Sequence, residues 1–322
     1  MGQQGNEMDQ RDAPRAVAPP GPALERVRVA GHLFLRRLQP ILWLLPSLVL
    51  IVGVVLYPAL QMVQTSFSRI TMSGLNRGFI GLANFADLFQ EPSLGSVFLR
   101  TLEWVALTVA ITTLISLVLA QLLNERFPGQ RLLRFSIIVP WAASIVITTL
   151  TWKWMLNYYY GAVNELLLRL SLVSTPIDWV GGVDTSFAST VFVAVFLSVP
   201  FTAYVLLAGL QAIPGELYEA ARVDGAGAWR TYVSIVFPLL RPALVVATVL
   251  NVIYVFNSFP VIWLMTQGGP GTSTDITATF MYKLAFQNRR IGESAALSVL
   301  DLIVIMIVTL GYVWFVNRRS EE

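Results

Sequence analysis

Formal charge is almost absent from six long stretches of this chain, and that absence constrains the fold more than any motif. Residues 41–62, 102–123, 137–155, 189–210, 243–265 and 295–315 are apolar runs, close to the ~20 residues that an α-helix needs to cross a bilayer. An unpaired charge in hydrocarbon is costly, so such runs belong in a membrane. Composition agrees: 55% of residues are hydrophobic and 13% charged, against about 25% charged in a soluble domain. Too few charges remain to cover a solvated surface of this size. The expectation is an all-α membrane protein with six transmembrane helices.

Several function classes drop out. The net charge of +3 is small and the basic residues are scattered, so nucleic-acid binding has no footprint. There is no cysteine, which removes disulfides, thiol catalysis and Cys-based metal sites. The single histidine, His32, sits in a polar tail and is read as solvated. No metal site and no catalytic residue are expected. That tail, residues 1–37, carries Pro19-Pro20-Gly21-Pro22 and dispersed arginines, and such a mix buries too little apolar surface to order itself. Residues 38–319 form the membrane domain. Its first run is too long for a signal peptide and is read as a retained helix.

Orientation follows from the basic residues beside the spans. Arg36, Arg37, Arg126, Arg131, Arg134, Arg222, Arg230, Arg241, Arg318 and Arg319 fall on the side of the tail. Arg69, Arg77, Arg100, Arg169, Lys283, Arg289 and Arg290 fall on the other side, over longer loops. The bias places both termini in the cytoplasm. None of the outer loops is long enough for an independent soluble domain, and no inverted internal repeat is visible.

The most structured loop lies between spans four and five, at about 211–241. Pro214 suits a helix start, and Glu216 and Glu219 sit near the positive end of the helix dipole. Asp224-Gly225 reads as a stop, since Gly accepts positive φ at a C-terminal cap. A second helix is expected over 226–237, broken where Pro238 and Pro242 lead into span five. With Ala220 and Ala221 at its surface and Glu219, Arg222 and Arg230 to fix register, this helix–turn–helix suits close docking of a partner. Local physics equally allows an ordinary interfacial loop.

Glu219-Ala220-Ala221, Asp224-Gly225-Ala226, Ile235 and Pro238, preceded by Leu210-Gln211-Ala212-Ile213-Pro214, resemble the coupling motif of binding-protein-dependent ABC importers, in the carbohydrate-uptake version. Phe79-Ile80-Gly81-Leu82-Ala83-Asn84-Phe85 and Trp152-Lys153-Trp154 with Gly161-Ala162-Val163-Asn164 resemble further segments of sugar-importer permeases, and Thr266-Gln267-Gly268-Gly269-Pro270 resembles the outer loop of the maltose-type first permease subunit. The resemblance covers most of the chain after the tail. It implies a non-catalytic permease subunit in a bacterial cytoplasmic (inner) membrane, paired with a second permease subunit, two ATPase subunits and an extracytoplasmic substrate-binding protein. It implies that Glu219, Ala220, Ala221, Arg222, Asp224 and Gly225 couple the chain to the ATPase, which holds ATP and Mg; this chain binds no cofactor. Some members of that subunit type carry extra N-terminal helices and a large outer domain. The polar tail and short outer loops here leave the six-helix core form.

Span five carries Asn251, Tyr254, Asn257 and Ser258, of which 251, 254 and 258 would share one helical face. A polar face in a membrane helix either bonds neighbouring helices or lines a water-filled path. Trp152, Trp154, Tyr158, Tyr159 and Tyr160 read as an interfacial belt in preference to a sugar-stacking platform. Asp301 lies about 12 Å inside span six at 1.5 Å per residue, where an acidic group is a functional candidate. It would bond a polyol, pair with a cation of a partner subunit, or be protonated and bonded locally. Gly268-Gly269 before Pro270 lacks the Walker lysine and reads as a tight outer turn in contact with the binding protein.

The alternative is a secondary transporter or polytopic enzyme acting alone. Ion coupling usually needs several intramembrane ionisable groups, and only Asp301 stands clear. The structured loop at 211–241 also has no evident use in a solitary transporter.

Overall fold

The computed structural model describes residues 43–71 and 73–318; the polar tail and His32 lie outside them. The chain divides into two compact units between Gln61 and Met62. Over residues 43–61 the first unit is helical throughout. It forms most of α1 (Trp43–Ser66), where Gln61 Nε2 donates to the Tyr57 hydroxyl at 2.7 Å.

The second unit opens with an antiparallel hairpin, β1 (Ser68–Ile70) and β2 (Asn76–Phe79). Helices α2 (Ala83–Phe89), α3 (Leu94–Asn124), α4 (Gln130–Ala142), α5 (Ile145–Met155) and α6 (Ala162–Arg169) follow. Next come α7 (Ser186–Gln211), α8 (Gly215–Val223) and α9 (Ala228–Phe256). The chain closes with α10 (Phe259–Met265), α11 (Thr277–Tyr282) and α12 (Ile291–Arg318). Among the described residues, α1, α3, α7, α9 and α12 are each long and apolar enough to cross a membrane.

The third expected span, 137–155, departs from a continuous helix. It is two helices, α4 and α5, separated at Ala143 and Ser144, whose ψ angles of 153° and 136° are extended. The fifth, 243–265, begins earlier and ends earlier than the apolar run suggests. α9 stops at Phe256, and Asn257 and Ser258 form a break before α10. Pro260 explains it: a proline there would crowd the Phe256 carbonyl inside a continuing helix, but fits the first turn of a new one.

The expected break at Pro238 and Pro242 is absent, because α9 runs through both. It does so by widening into a π-helical turn at Tyr232–Val236, closed by Phe237 N–H to Tyr232 O. α1 widens in the same way at Ile51–Leu56, just before Pro58. A proline gives no N–H and its ring crowds the preceding turn. An i→i+5 register ahead of it shifts that turn and makes room.

Two buried cores stack along α3, α7 and α9. One gathers Trp104, Val193, Leu197, Val255, Ile262 and Ile276; the other gathers Ala120, Leu123, Leu206, Leu210, Val236 and Leu240. α3 and α7 run parallel, as Trp104 meets Phe187 with ring centroids 6.3 Å apart and Ser116 Oγ donates to Val199 O at 3.1 Å. α9 crosses α7 closely at Gly209, where an added Cβ would lie 2.4 Å from Ala243 Cβ. Small residues at such crossings let membrane helices approach. Leu114, Val118, Ile307 and Leu310 point outward and exposed, as lipid-facing side chains do.

Two asparagines tie down the loops at the end of the bundle away from α8. Asn84 donates to Ser66 O at 2.9 Å and Ser68 O at 3.0 Å, and it packs on Gly292 of α12, where a Cβ would lie 2.6 Å from its amide. Asn164 donates to Ile177 O at 2.9 Å and accepts from Ile177 N–H at 3.1 Å and Trp179 Nε1–H at 2.9 Å. Both residues are buried, so each bond is made where water does not compete.

Candidate functional site

Three places concentrate the residues singled out from the sequence. The first is the turn between α7 and α9. Pro214 sits at the N-cap of α8, and the helix ends in a Schellman motif. Ala226 N–H bonds Ala221 O at 2.9 Å and Gly225 N–H bonds Arg222 O at 3.1 Å, with Gly225 at φ +71°. The turn therefore presents a fixed surface. Glu219, Ala220, Arg222, Asp224 and Gly225 are exposed on it. Ala221 is a correction: it is buried, at 3% exposure, on the inner side of the short helix, so its small side chain serves packing and not the surface. Tyr218 anchors the inner side too; burial pushes its phenol up, and the Glu125 carboxylate at the end of α3 adds to this. Sequence reasoning missed Val223 and Trp229, which are 88% and 79% exposed beside this polar surface. The signal was there, as two large apolar residues inside a polar loop.

The second place is a cleft of about 470 Å³ at the break between α4 and α5, within the range of small-molecule sites. Trp141 and Ala143 come from the break, Ser198 and Phe201 from α7, and Asn251 and Tyr254 from α9. The Trp141 and Phe201 rings are 6.5 Å apart and inclined by 22°. Ser198 Oγ and Asn251 Nδ2 are buried and have no hydrogen-bond partner among the described residues. Buried polar groups are normally satisfied, so these two leave the cleft wall short of hydrogen-bond partners. Among the described residues no Asp, Glu, Lys, Arg or His lines the cleft. Irregular backbone at membrane depth is tolerated where it is buried in protein or lines a cavity, and the cleft is such a cavity.

The structure brings Asn251 and Tyr254 together but separates the rest of the expected face. Ser258 lies beyond the break with ψ 57°, off the helical register that would align it with Asn251. Asn257 points elsewhere and satisfies itself on Ile253 O at 3.0 Å. Asp301 of α12 is 8% exposed and does not line the cleft. Its Oδ1 has no hydrogen-bond partner among the described residues, and its near polar neighbour is the Thr277 hydroxyl. Trp141 and Phe201 were missed, because aromatics inside apolar runs give no signal until the helix break aligns them. Among the described residues no cluster of His, Cys, Asp or Glu is suited to a metal.

The third place is the turn after α10. Gln267, Gly268 and Gly271 all take positive φ, at 56°, 83° and 60°. Thr266 and Thr274 hydroxyls meet at 2.6 Å, and Arg100 donates to Ser273 O. Beneath lies Asp275, fully buried, accepting from Lys283 Nζ at 2.6 Å and from the Thr279 hydroxyl at 2.9 Å. Burial nevertheless pushes the Asp275 carboxyl up, outweighing the lowering by Lys283 and Thr279. Gly268 is a second correction. It is buried against this pair, where a Cβ would overlap Asp275 Oδ1, so it packs the turn and gives no contact surface. Gly269 and Pro270 are half-buried, and Gln267, Gly271 and Thr272 form the exposed rim.

Comparison with known proteins gives a consistent picture. Residues 112–321 match the family model of the binding-protein-dependent transport system inner membrane component. The chain is 39% identical over 286 residues to a probable ABC transporter permease protein of Brucella suis biovar 1, covering 89% of this chain and 99% of that one. It is 33% identical over 274 residues to the trehalose/maltose transport system permease protein MalF of Thermococcus litoralis, covering 84% and 91%. Among solved structures it superposes on a chain of a bacterial ABC transporter that imports the acidic polysaccharide alginate. That match has a TM-score of 0.74 at 22% identity, over 92% of this chain and 98% of that one.

Proposed function

Since the chain belongs to the binding-protein-dependent transport system inner membrane components, we propose that it is the permease subunit of an ATP-driven importer for an uncharged carbohydrate. The observation that carries the substrate class is the cleft at the helix break. Stacked aromatic rings, two unpartnered polar groups and no formal charge suit a solute with apolar ring faces and hydroxyl edges. The name of the Thermococcus relative, a trehalose/maltose permease protein, supports the disaccharide size class.

In this reading Trp141 and Phe201 present faces to a sugar ring, while Ser198, Asn251 and Tyr254 exchange hydrogen bonds with its hydroxyls. The chain does no chemistry. Energy enters where Glu219, Ala220, Arg222, Asp224 and Gly225 dock on an ATPase subunit, with Val223 and Trp229 as apolar anchors. Both termini face the cytoplasm of a bacterial inner membrane, which puts that turn on the ATP side. The turn after α10 faces an extracytoplasmic binding protein through Gln267, Gly271 and Thr272, with Gly269 and Pro270 shaping it. A second permease subunit completes the path, and two ATPase subunits hold ATP and Mg. Asp301 lies near Thr277 of α11, outside the cleft.

The test is uptake of labelled disaccharides by the assembled transporter. Asn251→Ala and Trp141→Ala should each lower transport at unchanged assembly, whereas Asn257→Ala should not. Full uptake by both of the first two variants would remove the cleft from the path.

A further inference from the structure

On the opposite face of α7 from the cleft lies a different cavity. Ala188, Val191, Phe192, Val195 and Val199 recur at helical spacing and form one wall of a trough of about 570 Å³. Leu107, Ile111 and Ile115 of α3 form the other wall. Ser136 is the one polar lining residue. At the end remote from the 212–227 turn, the trough shares Ala188 and Phe192 with a second cavity of about 520 Å³. That cavity has a different character: Asp184, Thr185 and Ser189 line it beside the indoles of Trp152 and Trp179. Ser189 is 5% exposed and its hydroxyl has no partner among the described residues.

The two cavities thus form one groove with a polar, Trp-flanked mouth and an apolar floor. Tryptophans flank membrane proteins at the level of the lipid headgroups. From Ala188 to Pro200 the trough follows about 18 Å of helix, roughly one leaflet of a hydrocarbon core about 30 Å thick. Below it the groove closes, where Tyr204 Oη donates to Arg134 O at 3.4 Å and Leu133 packs on the inner core. A transmembrane helix laid in the groove would meet that closure half-way. An acyl chain entering from the mouth ends there.

The mouth also selects a headgroup. Among the described residues Asp184 is the one charged side chain lining it. Arg100 lies over the Phe187 ring at 5.8 Å and donates to Ser273 O, and it lines neither cavity. A carboxylate with no cation beside it in the lining favours an ammonium with N–H donors over an anionic headgroup. We propose that this groove binds one phospholipid with a primary ammonium headgroup, drawn from the leaflet remote from the 212–227 turn, with one acyl chain along α7. The inference requires only that the chain spans a membrane, so it stands apart from the transport reading.

The experiment is native mass spectrometry of the purified assembled transporter after exchange into an equimolar mixture of phosphatidylethanolamine, phosphatidylcholine and phosphatidylglycerol. Wild type should retain the ethanolamine lipid in preference to the glycerol lipid by about fivefold, the ratio that an exposed ionic contact near 1 kcal/mol supplies. Asp184→Asn should flatten that preference without loss of fold, and Ala188→Trp should abolish retention. Equal retention of all three lipids by wild type, or retention unchanged by Ala188→Trp, overturns the proposal. So does a cross-link from Val195→Cys to a helix of another subunit, which is readable because the chain has no other cysteine.

Discussion

Gly225 and Gly268 both take positive φ, yet substitution should fail at them for different reasons, and the difference makes a quantitative test. At Gly225 an added Cβ meets nothing within 4 Å, so space is open and only backbone strain opposes a side chain. For Ala that strain is about 1–2 kcal/mol; Asn tolerates the left-handed region better, and β-branched Val tolerates it worst. The turn can escape strain by surrendering its two Schellman bonds, each contributing about 0.5–1.5 kcal/mol. Losing both bonds costs about 1–3 kcal/mol, so the strained turn, at about 1–2 kcal/mol for Ala, sets the lower cost and depopulates a docking-competent surface about 5–30-fold. The assay is a titration of the ATPase subunit against the permease in nanodiscs, for Gly225→Asn, Gly225→Ala and Gly225→Val. Affinity should fall in that order while the thermal transition of the membrane part stays put, because Gly225 itself has open space around it and belongs to neither stacked core. An Asn variant as weak as the Val variant would mean that crowding by the partner, and not strain, governs this site. Undiminished affinity of the Ala variant would sink the assignment of the turn as a docking surface.

Other perturbations probe the remaining sites. Gly209→Leu should overpack the α7–α9 crossing against Ala243 and Leu240 and cost about 1–3 kcal/mol, seen as a lower melting temperature in detergent that Ala243→Gly partly restores. Lys283→Met should leave the Asp275 carboxylate buried and unpaired, at a cost of about 3–5 kcal/mol, while Asp275→Leu with Lys283→Met recovers most of it. The Asp275 carboxyl is raised above its ordinary 3.8, so the folded chain holds that proton more tightly than the unfolded one. Its stabilising contribution is complete below 3.8 and is lost as pH rises through the raised value. Acidification from neutral pH should therefore raise the melting temperature of wild type relative to Asp275→Asn. Val223→Ser with Trp229→Ser should reduce ATPase co-purification, at about 2 kcal/mol or more if either is a hot spot, without altering membrane insertion; unchanged recovery would exclude them as anchors.

What could be read from residue order was the part set by transfer energy and by local turn chemistry. The apolar runs located the spans because charge avoidance acts residue by residue, and Pro214, Asp224 and Gly225 located both ends of α8 because caps are local. The motif residues Asn84 and Asn164 were visible as a resemblance, but their work as buried clamps needs Ser66, Ser68, Ile177 and Trp179 brought alongside by the fold. Helix continuity was misread in both directions. Pro238 is absorbed by a π turn that forms upstream of it, whereas 137–155 breaks at Ala143 and Ser144, neither of which disfavours a helix strongly. The cleft was half legible: Asn251 and Tyr254 stand out in an apolar run, but Trp141 and Phe201 only acquire meaning when two elements align them. Gly268 looked like a surface turn because its burial depends on Asp275 and Lys283, several residues further on.

The joint at Ala143 and Ser144 divides the mechanics of the bundle as well as the helix. On one side α4 is fastened to the end of α3, through Gln130 to Leu123 O at 2.7 Å and Arg134 to Leu123 O at 3.1 Å. On the other, α5 is fastened to α10 through Lys153 Nζ to Leu264 O at 2.7 Å, and to α7 through the edge of Trp152 on Phe192 at 4.7 Å. The two half-helices thus reach toward different ends of the molecule, both packed on α7, and meet at two extended residues, of which Ser144 already accepts from Thr148 N–H at 2.9 Å as the first bond of α5. A displacement of α4 against α5 would be taken up at Ala143 and Ser144, where the helical backbone is interrupted. Because Ala143 is also a wall of the cleft, a change of angle at that joint would alter the width of the cavity itself.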